Sequence, residues 1–222
     1  IMPGMDVEES IEISKIYSVS GLLTEKEPLV KIRPFRAPHH TVSVQALTGG
    51  GRRPKPGEIS LATGGILFLD ELPEFSRAAL ETLRQPLEDR EVTVSRVEAT
   101  VTYPANFQLV AAMNPCPCGH FPDLARCRCT EGQITRYLQK ISGPLLDRID
   151  LCVEASPVTY GDVRGGGENE ASGAIRARVE QAREIQKERF MEENIRCNGE
   201  MSGRHIRKYC VLGKEEETFM EE

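Results

Sequence analysis

An α/β fold built on a parallel sheet is predicted by three features of this 222-residue chain. The first is the unbroken apolar run Ile66-Leu67-Phe68-Leu69, which fits a strand buried on both faces. The second is a further apolar strand from Phe107 to Met113, ending at Asn114-Pro115. The third is the set of helical patterns that alternates with these strands along the chain.

In order, Asp6 to Tyr17 reads as a helix, with Asp6 as cap and Glu9 completing a capping box. Gly21 and Pro28 break that pattern. A window from Pro28 to Gly57 follows, rich in Pro and Gly. It contains Thr48-Gly49-Gly50-Gly51-Arg52-Arg53-Pro54, expected to be a mobile loop. This run is not a phosphate-cradling loop, because no Gly-Lys-Ser/Thr follows and no clear strand precedes it. After the strand at 66–69, Ser76 caps a helix running to about Asp89. Its apolar stripe is Leu80, Leu83 and Leu87, with a late kink expected at Pro86. Glu91 to Tyr103 alternates, with Val92, Val94, Val97, Ala99, Val101 and Tyr103 among polar residues. That pattern predicts two strands joined near Arg96.

Thr130 begins another helix, in which Ile134, Tyr137, Leu138 and Ile141 fall at i, i+3, i+4 and i+7. Ser142-Gly143-Pro144 stops it, and Leu145 to Asp150 lead into a third short strand, Leu151 to Val153. Gly161 to Asn169 reads as a linker. Ala174 to Glu193 is a highly charged helix with a narrow seam of Ile175, Val179, Ala182 and Ile185. Shorter helical pieces are expected after Ser202 and after Lys214.

A hydrophobic content of 39% with 28% charged residues indicates a soluble globular protein. No apolar run approaches the about 18 residues of a membrane span. The chain begins at Ile1 rather than Met, as a segment of a longer protein would, so the lack of a visible targeting signal decides nothing. The net charge of −6 argues weakly against non-specific nucleic-acid binding. Its distribution argues the other way. The window 28–57 has no acid and carries Lys31, Arg33, Arg36, Arg52, Arg53 and Lys55, with His39 and His40. A basic strip of this kind can bind a polyanion or simply be a solvated loop paired with acidic neighbours.

Asp70 and Glu71 end the first strand, where ligands of open α/β sheets bind. Two carboxylates at a buried edge are costly unless something positive sits there. A nucleotide-bound Mg²⁺ fits: Asp70 would hold the metal through its water shell, and Glu71 would polarise an attacking water. This is the Walker B arrangement. A strand running into a helix N-cap accounts for the same two residues.

Of seven cysteines, four form two pairs, Cys116-Pro117-Cys118 and Cys127-Arg128-Cys129, separated by eight residues. Four thiolates brought together by a loop can bind a tetrahedral Zn²⁺, with His120 as a competing ligand. Reduced loop thiols are the alternative. Cys152, Cys197 and Cys210 read as isolated packing residues.

Several phrases together resemble one family. They are Arg36-Ala-Pro-His39-His40-Thr, Pro56-Gly-Glu-Ile-Ser-Leu-Ala, Ile66-Leu-Phe-Leu-Asp70-Glu71-Leu-Pro-Glu-Phe, Ala111-Ala-Met-Asn114-Pro115-Cys116-Pro-Cys118-Gly and Ser142-Gly-Pro-Leu-Leu-Asp-Arg148-Ile-Asp150. The chain is similar over nearly all its length to the Mg-chelatase-like AAA+ ATPases of the ComM/YifB type. The resemblance implies an AAA+ P-loop NTPase core, a parallel sheet flanked by helices, with an inserted β-hairpin and the start of a helical lid. It implies a partial core at 1–158 (basic insert 28–57, hairpin 91–104, cysteine loop 115–129), a linker at 159–170 and part of the lid at 171–222. Asp70 and Glu71 match the Walker B pair, Asn114 the sensor that touches the γ-phosphate or attacking water, and Arg148 the arginine finger that reaches an adjacent subunit. Arg148 could instead form a salt bridge with Asp147 or Asp150, and Asn114 could simply form a turn before Pro115.

ATP and Mg²⁺ are the implied cofactors, and a cytoplasmic homo-hexameric ring acting on DNA is the implied assembly, with Arg52, Arg53, Lys55 and Arg96 facing the pore. The family's phosphate-binding loop lies upstream of the segment matched here, so this segment by itself is expected to be inactive and to expose apolar surface. A chelatase-type ATPase that remodels a protein partner, or an inactive scaffold lacking the loop by nature, would share these residues.

Overall fold

In the computed structural model the described residues are 1–96, 99–155, 160–164 and 170–221, and they divide into two units. One comprises residues 5–157, the other residues 1–4 with 158–222.

In the larger unit Asp6 and Glu9 close the expected capping box on helix α1 (Val7–Ser20), and Gly21 ends it in the left-handed region at φ 75°. Strands β1 (Phe35–Arg36), β4 (Ile66–Leu69) and β7 (Gln108–Ala111) form a parallel sheet in the order β1-β4-β7. The register pairs Phe35 with Ile66, Ile66 with Gln108 and Leu69 with Ala111.

Burial on both faces of the Ile66–Leu69 strand is not what the structure shows. Strand alternation sends Leu67 and Leu69 into the core, fully buried with Leu80, Leu83 and Ile59. On the other face Ile66 and Phe68 are half-buried, Phe35 stacks on Phe68 at 6.0 Å, and Val110 is 37% exposed. One face of this sheet is therefore a core face and the other only partly covered.

Between β1 and β4 lie α2 (Val44–Thr48), β2 (Gly49–Gly50), β3 (Lys55–Pro56) and α3 (Glu58–Leu61). The expected mobile loop at 48–54 is instead a tight antiparallel hairpin, Gly49 opposite Pro56 and Gly50 opposite Lys55. The glycines permit it: Gly49 sits at φ 103°, and a methyl group there would stand 2.3 Å from the Lys55 carbonyl oxygen. Ser76 caps α4 (Arg77–Glu81) through the Ala79 amide at 3.2 Å. The expected single helix breaks at Thr82–Leu83 before α5 (Arg84–Asp89). Pro86 lacks an amide, and its ring opposes the carbonyl four residues back, at Thr82.

Strands β5 (Glu91–Ser95) and β6 (Thr100–Pro104) form the expected hairpin, burying Val92, Val94 and Tyr103. Thr93 and Thr102 (3.0 Å) and Ser95 and Thr100 (2.9 Å) pair on its outer face. Val97 and Glu98 lie outside the described residues.

Thr130 and Gln133 box the start of α6 (Glu131–Leu138), which buries Tyr137, while Leu138 is 41% exposed. The helix ends before Ser142, as expected, and Pro144 sits in the first turn of α7 (Gly143–Leu146), where its missing amide costs nothing. Leu151 to Val153, expected as a third strand, is not one. A strand needs a hydrogen-bonded neighbour, none of the described strands pairs with it, and Leu151 and Val153 are 84% and 90% exposed.

The smaller unit is helical: α8 (Tyr160–Arg164), α9 (Ser172–Arg189), α10 (Gly203–Tyr209) and α11 (Lys214–Glu221). The expected linker is thus helical at Tyr160–Arg164, and its residues 165–169 lie outside the described residues. The apolar seam of α9 stays open, with Ile185 54% exposed. The buried Phe190 and its edge contact with Tyr209 at 5.3 Å tie α9 to α10. Glu193 joins them, accepting from Lys208 at 2.7 Å and from the Tyr209 hydroxyl at 3.2 Å. Among the described residues no helix is long and apolar enough to cross a membrane.

Gly65 gives a stability prediction. The Pro34 carbonyl oxygen accepts the Ile66 amide at 2.8 Å, and a methyl group on Gly65 would stand 1.9 Å from that oxygen. Gly65→Ala must push β1 away from β4, at an expected cost of roughly 2–4 kcal/mol. Urea unfolding of the two proteins measures it. A change within about 0.5 kcal/mol would mean that the two strands part there freely.

Candidate active site and metal centre

The Leu69–Ala111 register sets the ends of β4 and β7 side by side at the carboxyl edge of the sheet. The Ala112 amide donates to the Leu69 carbonyl and the Leu72 amide to the Ala112 carbonyl, both at 3.0 Å, so residues 70–72 fold over the end of β7. Asp70 and Glu71 stand at that edge, and both are exposed rather than buried. The cost argument for a cation there therefore lapses, because water can solvate both carboxylates. What remains is position. Asp70 accepts the Glu71 amide at 2.9 Å.

Glu71 opens a single 3₁₀ turn (Leu72–Glu74), but its side chain makes no capping bond. Its backbone is left-handed, φ 53° and ψ 47°, a conformation that costs a non-glycine residue about 1 kcal/mol or more. The Glu71 carboxylate lies 3.1 Å from His40 Nδ1. His40 is itself fixed between His39, ring centres 4.0 Å apart, and the edge of Phe75. The sequence shows His40 in a basic window and in the phrase Arg36-Ala-Pro-His39-His40-Thr, but assigns it no partner. No spacing rule connects it to a carboxylate on another strand.

Asn114 follows β7 by three residues and is exposed. Its backbone amide faces the Tyr137 hydroxyl on α6. Burial raises the Tyr137 pKa, the charge of Glu74 adds to this, and the Asn114 amide opposes both. Arg148, just beyond α7, pairs with neither Asp147 nor Asp150 among the described residues. Its guanidinium donates to Glu88 on α5 and to the Pro144 carbonyl. Its Nε has no acceptor among the described residues.

The basic window divides in two. Arg33 pairs with Glu9 at 2.8 Å, and Arg36 grips Glu58 with two hydrogen bonds at 2.6 and 2.7 Å, so both serve the fold. Arg52, Arg53 and Lys55 are exposed on the β2–β3 hairpin. The β5–β6 hairpin comes to the same place: the Tyr103 hydroxyl donates to the Pro54 carbonyl at 2.7 Å. A methyl group on Gly50 would stand 2.8 Å from an Arg96 guanidinium nitrogen. Arg96, distant in sequence, is thus brought against the hairpin that carries Arg52, Arg53 and Lys55.

Cys116, Cys118, Cys127 and Cys129 converge, with all four sulfurs within 4.8 Å of one another. Cys116–Cys118 is 3.4 Å, Cys118–Cys127 3.6 Å and Cys116–Cys127 3.8 Å. A tetrahedral site with metal–sulfur bonds of about 2.3 Å has sulfurs about 3.8 Å apart. The four residues can hold a metal ion, and their spacing fits one. Backbone amides prepare the ligands. Those of His120 and Arg128 lower the Cys118 thiol to about 6. Cys129 is pushed up to about 12, by burial first and then by its thiol neighbours. Without a cation the four thiols cannot all ionise together, and a divalent ion removes that conflict.

Comparison with known proteins bears on this arrangement. The family described as magnesium chelatase, subunit ChlI, matches residues 1–163, and its C-terminal family matches residues 169–222. The competence protein ComM of Haemophilus influenzae is 46% identical over 224 residues, covering 100% of this chain and 42% of its own length. The uncharacterized protein YifB of Salmonella typhimurium is 44% identical over 223 residues, covering 100% and 43%. An uncharacterized protein of Mycobacterium bovis is 44% identical over 209 residues, covering 94% and 41%. The chain thus spans less than half the length of these relatives. A solved structure of NtrX from Brucella abortus with ADP aligns at a TM-score of 0.37 and 21% identity over 54% of this chain and 24% of its own, too distant to bear on the site. Since the first family match alone takes in residues 1–163 and these relatives align along almost the whole sequence, the chain belongs to the magnesium chelatase ChlI family, among the Mg-chelatase-like AAA+ proteins of the ComM/YifB type.

Proposed function

We propose that these residues form the water-activating and finger portions of an AAA+ ATPase that hydrolyses ATP with Mg²⁺ and drives a hexameric ring along DNA. The observation that carries the ATPase reading is the pair Asp70–Glu71 at the carboxyl end of β4, beside Asn114 beyond the end of the adjoining strand. Asp70 holds the water shell of Mg²⁺. Glu71, steadied by His40, takes the proton of the attacking water. Asn114 donates to the water or to the γ-phosphate. Arg148 reaches the γ-phosphate of a neighbouring subunit. The four cysteines hold a structural zinc.

The domain reading rests on the family resemblance: a core reaching to 158, a linker at 159–170 and part of a lid at 171–222. No Gly-x-x-x-x-Gly-Lys-Ser/Thr sequence occurs among the 222 residues. The 222-residue chain alone is therefore expected to show no ATP turnover above background. Turnover sensitive to Asp70→Ala would overturn that.

The DNA reading rests on a different observation, the meeting of Arg96 with the hairpin that carries Arg52, Arg53 and Lys55. Neutralising all four residues in the full-length protein should weaken DNA binding whatever the sequence. Each lost phosphate contact should flatten the slope of log affinity against log salt by roughly 0.7–0.9. ATP affinity should stay near that of the unaltered protein. An unchanged salt slope would instead favour a chelatase-type ATPase acting on a protein partner.

A further inference from the structure

We propose that the metal-bound cysteine centre is the clamp that fixes Asn114 beyond the end of β7, so that zinc acts as a positioning element for nucleotide hydrolysis. This rests on the reading of Asn114 given above.

The loop from Pro115 to Cys129 has little else to order it. It contains no helix or strand, and Cys116 is its one buried residue. Phe121 and Leu124 are 39% and 81% exposed. Its internal backbone bonds close only short turns: Gly119 to Cys116 at 3.0 Å, Asp123 to His120 at 2.8 Å and Cys127 to Asp123 at 2.7 Å. A segment of this length without a core stays in one conformation only when something ties its ends. The cysteines are placed to do so. Cys116 lies two residues after Asn114, and Cys129 directly precedes Thr130, the cap of α6.

Both of the contacts around Asn114 depend on that tie. On one side the Cys116–Gly119 turn faces the Asn114 side chain: a methyl group on Gly119 would stand 3.8 Å from its Cγ and Oδ1. Gly119 adopts φ 77°, the left-handed geometry that closes the turn. On the other side the Asn114 amide faces Tyr137 of α6, and the cap of that helix, Thr130, directly follows Cys129. A cation shared by the four sulfurs locks β7 to α6 with Asn114 between them. A shift of about 1 Å in a positioned catalytic group can cost roughly 100-fold in rate.

The experiment uses the full-length protein purified without chelator. About one zinc per chain is expected by metal analysis, and cobalt substitution should give the absorption of a tetrahedral thiolate site. Chelation should speed hydrogen exchange at the Asn114 amide while leaving the amides of Leu67 to Leu69 protected. Turnover should fall by up to roughly 100-fold, with ATP affinity little changed. Added Zn²⁺ should restore both. The double variant Cys127→Ser, Cys129→Ser should behave like the stripped protein and gain nothing from Zn²⁺. Absence of metal overturns the proposal. So does bound metal whose removal leaves both Asn114 exchange and turnover unchanged. If the untouched protein hydrolyses no ATP, the ATPase reading fails, and the exchange measurement still decides whether the metal clamps Asn114.

Discussion

Glu71→Gln in the full-length protein is expected to bind ATP and hardly hydrolyse it. The substitution keeps the length and shape of the side chain, and glutamine is no more strained than glutamate in the left-handed backbone at φ 53°. It removes only the negative oxygen that accepts a proton. Asp70 remains to hold the Mg²⁺ water shell, so nucleotide affinity should stay within a few-fold. Loss of a positioned base typically costs roughly 10²–10⁴-fold in rate. Glu71 is exposed and its partner His40 can still hydrogen-bond an amide oxygen, so the fold should be unaffected. Rapid-quench turnover and equilibrium binding of ATP, measured side by side, separate the two quantities. Normal hydrolysis by Glu71→Gln would remove Glu71 from the mechanism and with it the Walker B assignment.

What could be read in the sequence was what is decided within a few neighbouring residues. The capping box at Asp6–Glu9, the helix start at Thr130, the alternation in β5 and β6 and the apolar run of β4 are local patterns, and each became the helix or strand expected, although β4 is fully buried on one face only. What could not be read depended on partners far along the chain. The glycine run at 49–51 became a hairpin, against which Tyr103 closes 49 residues away from Pro54. Leu151 to Val153 has a strand's composition, yet no described strand pairs with it. The candidate site follows the same division. Asp70 and Glu71 announce themselves as adjacent carboxylates after an apolar strand. That His40 would meet Glu71, or Arg148 meet Glu88, is set by how loops return across the sheet and the helices. No periodicity encodes that.

The finger assignment of Arg148 can be tested because its contacts within the chain are weak. Its side chain is 27% exposed and that of its partner Glu88 63%, and a pair this wet contributes about 0–1 kcal/mol. Arg148→Ala should therefore leave folding and ATP affinity nearly unchanged. A finger arginine acting on the transition state is worth roughly 10³–10⁵ in rate, so turnover should collapse. Mixing supplies the decisive result. An Arg148→Ala subunit keeps a sound Asp70, and an Asp70→Asn subunit keeps a sound arginine. Each preparation alone should be inactive. In mixed rings, an interface where the first subunit's nucleotide faces the second subunit's arginine is complete, and part of the activity should return in proportion to such interfaces. Light scattering establishes that rings have formed and mixed. If mixed rings remain as inactive as their parents, Arg148 acts in cis or only structurally, through its contacts with Glu88 and the Pro144 carbonyl.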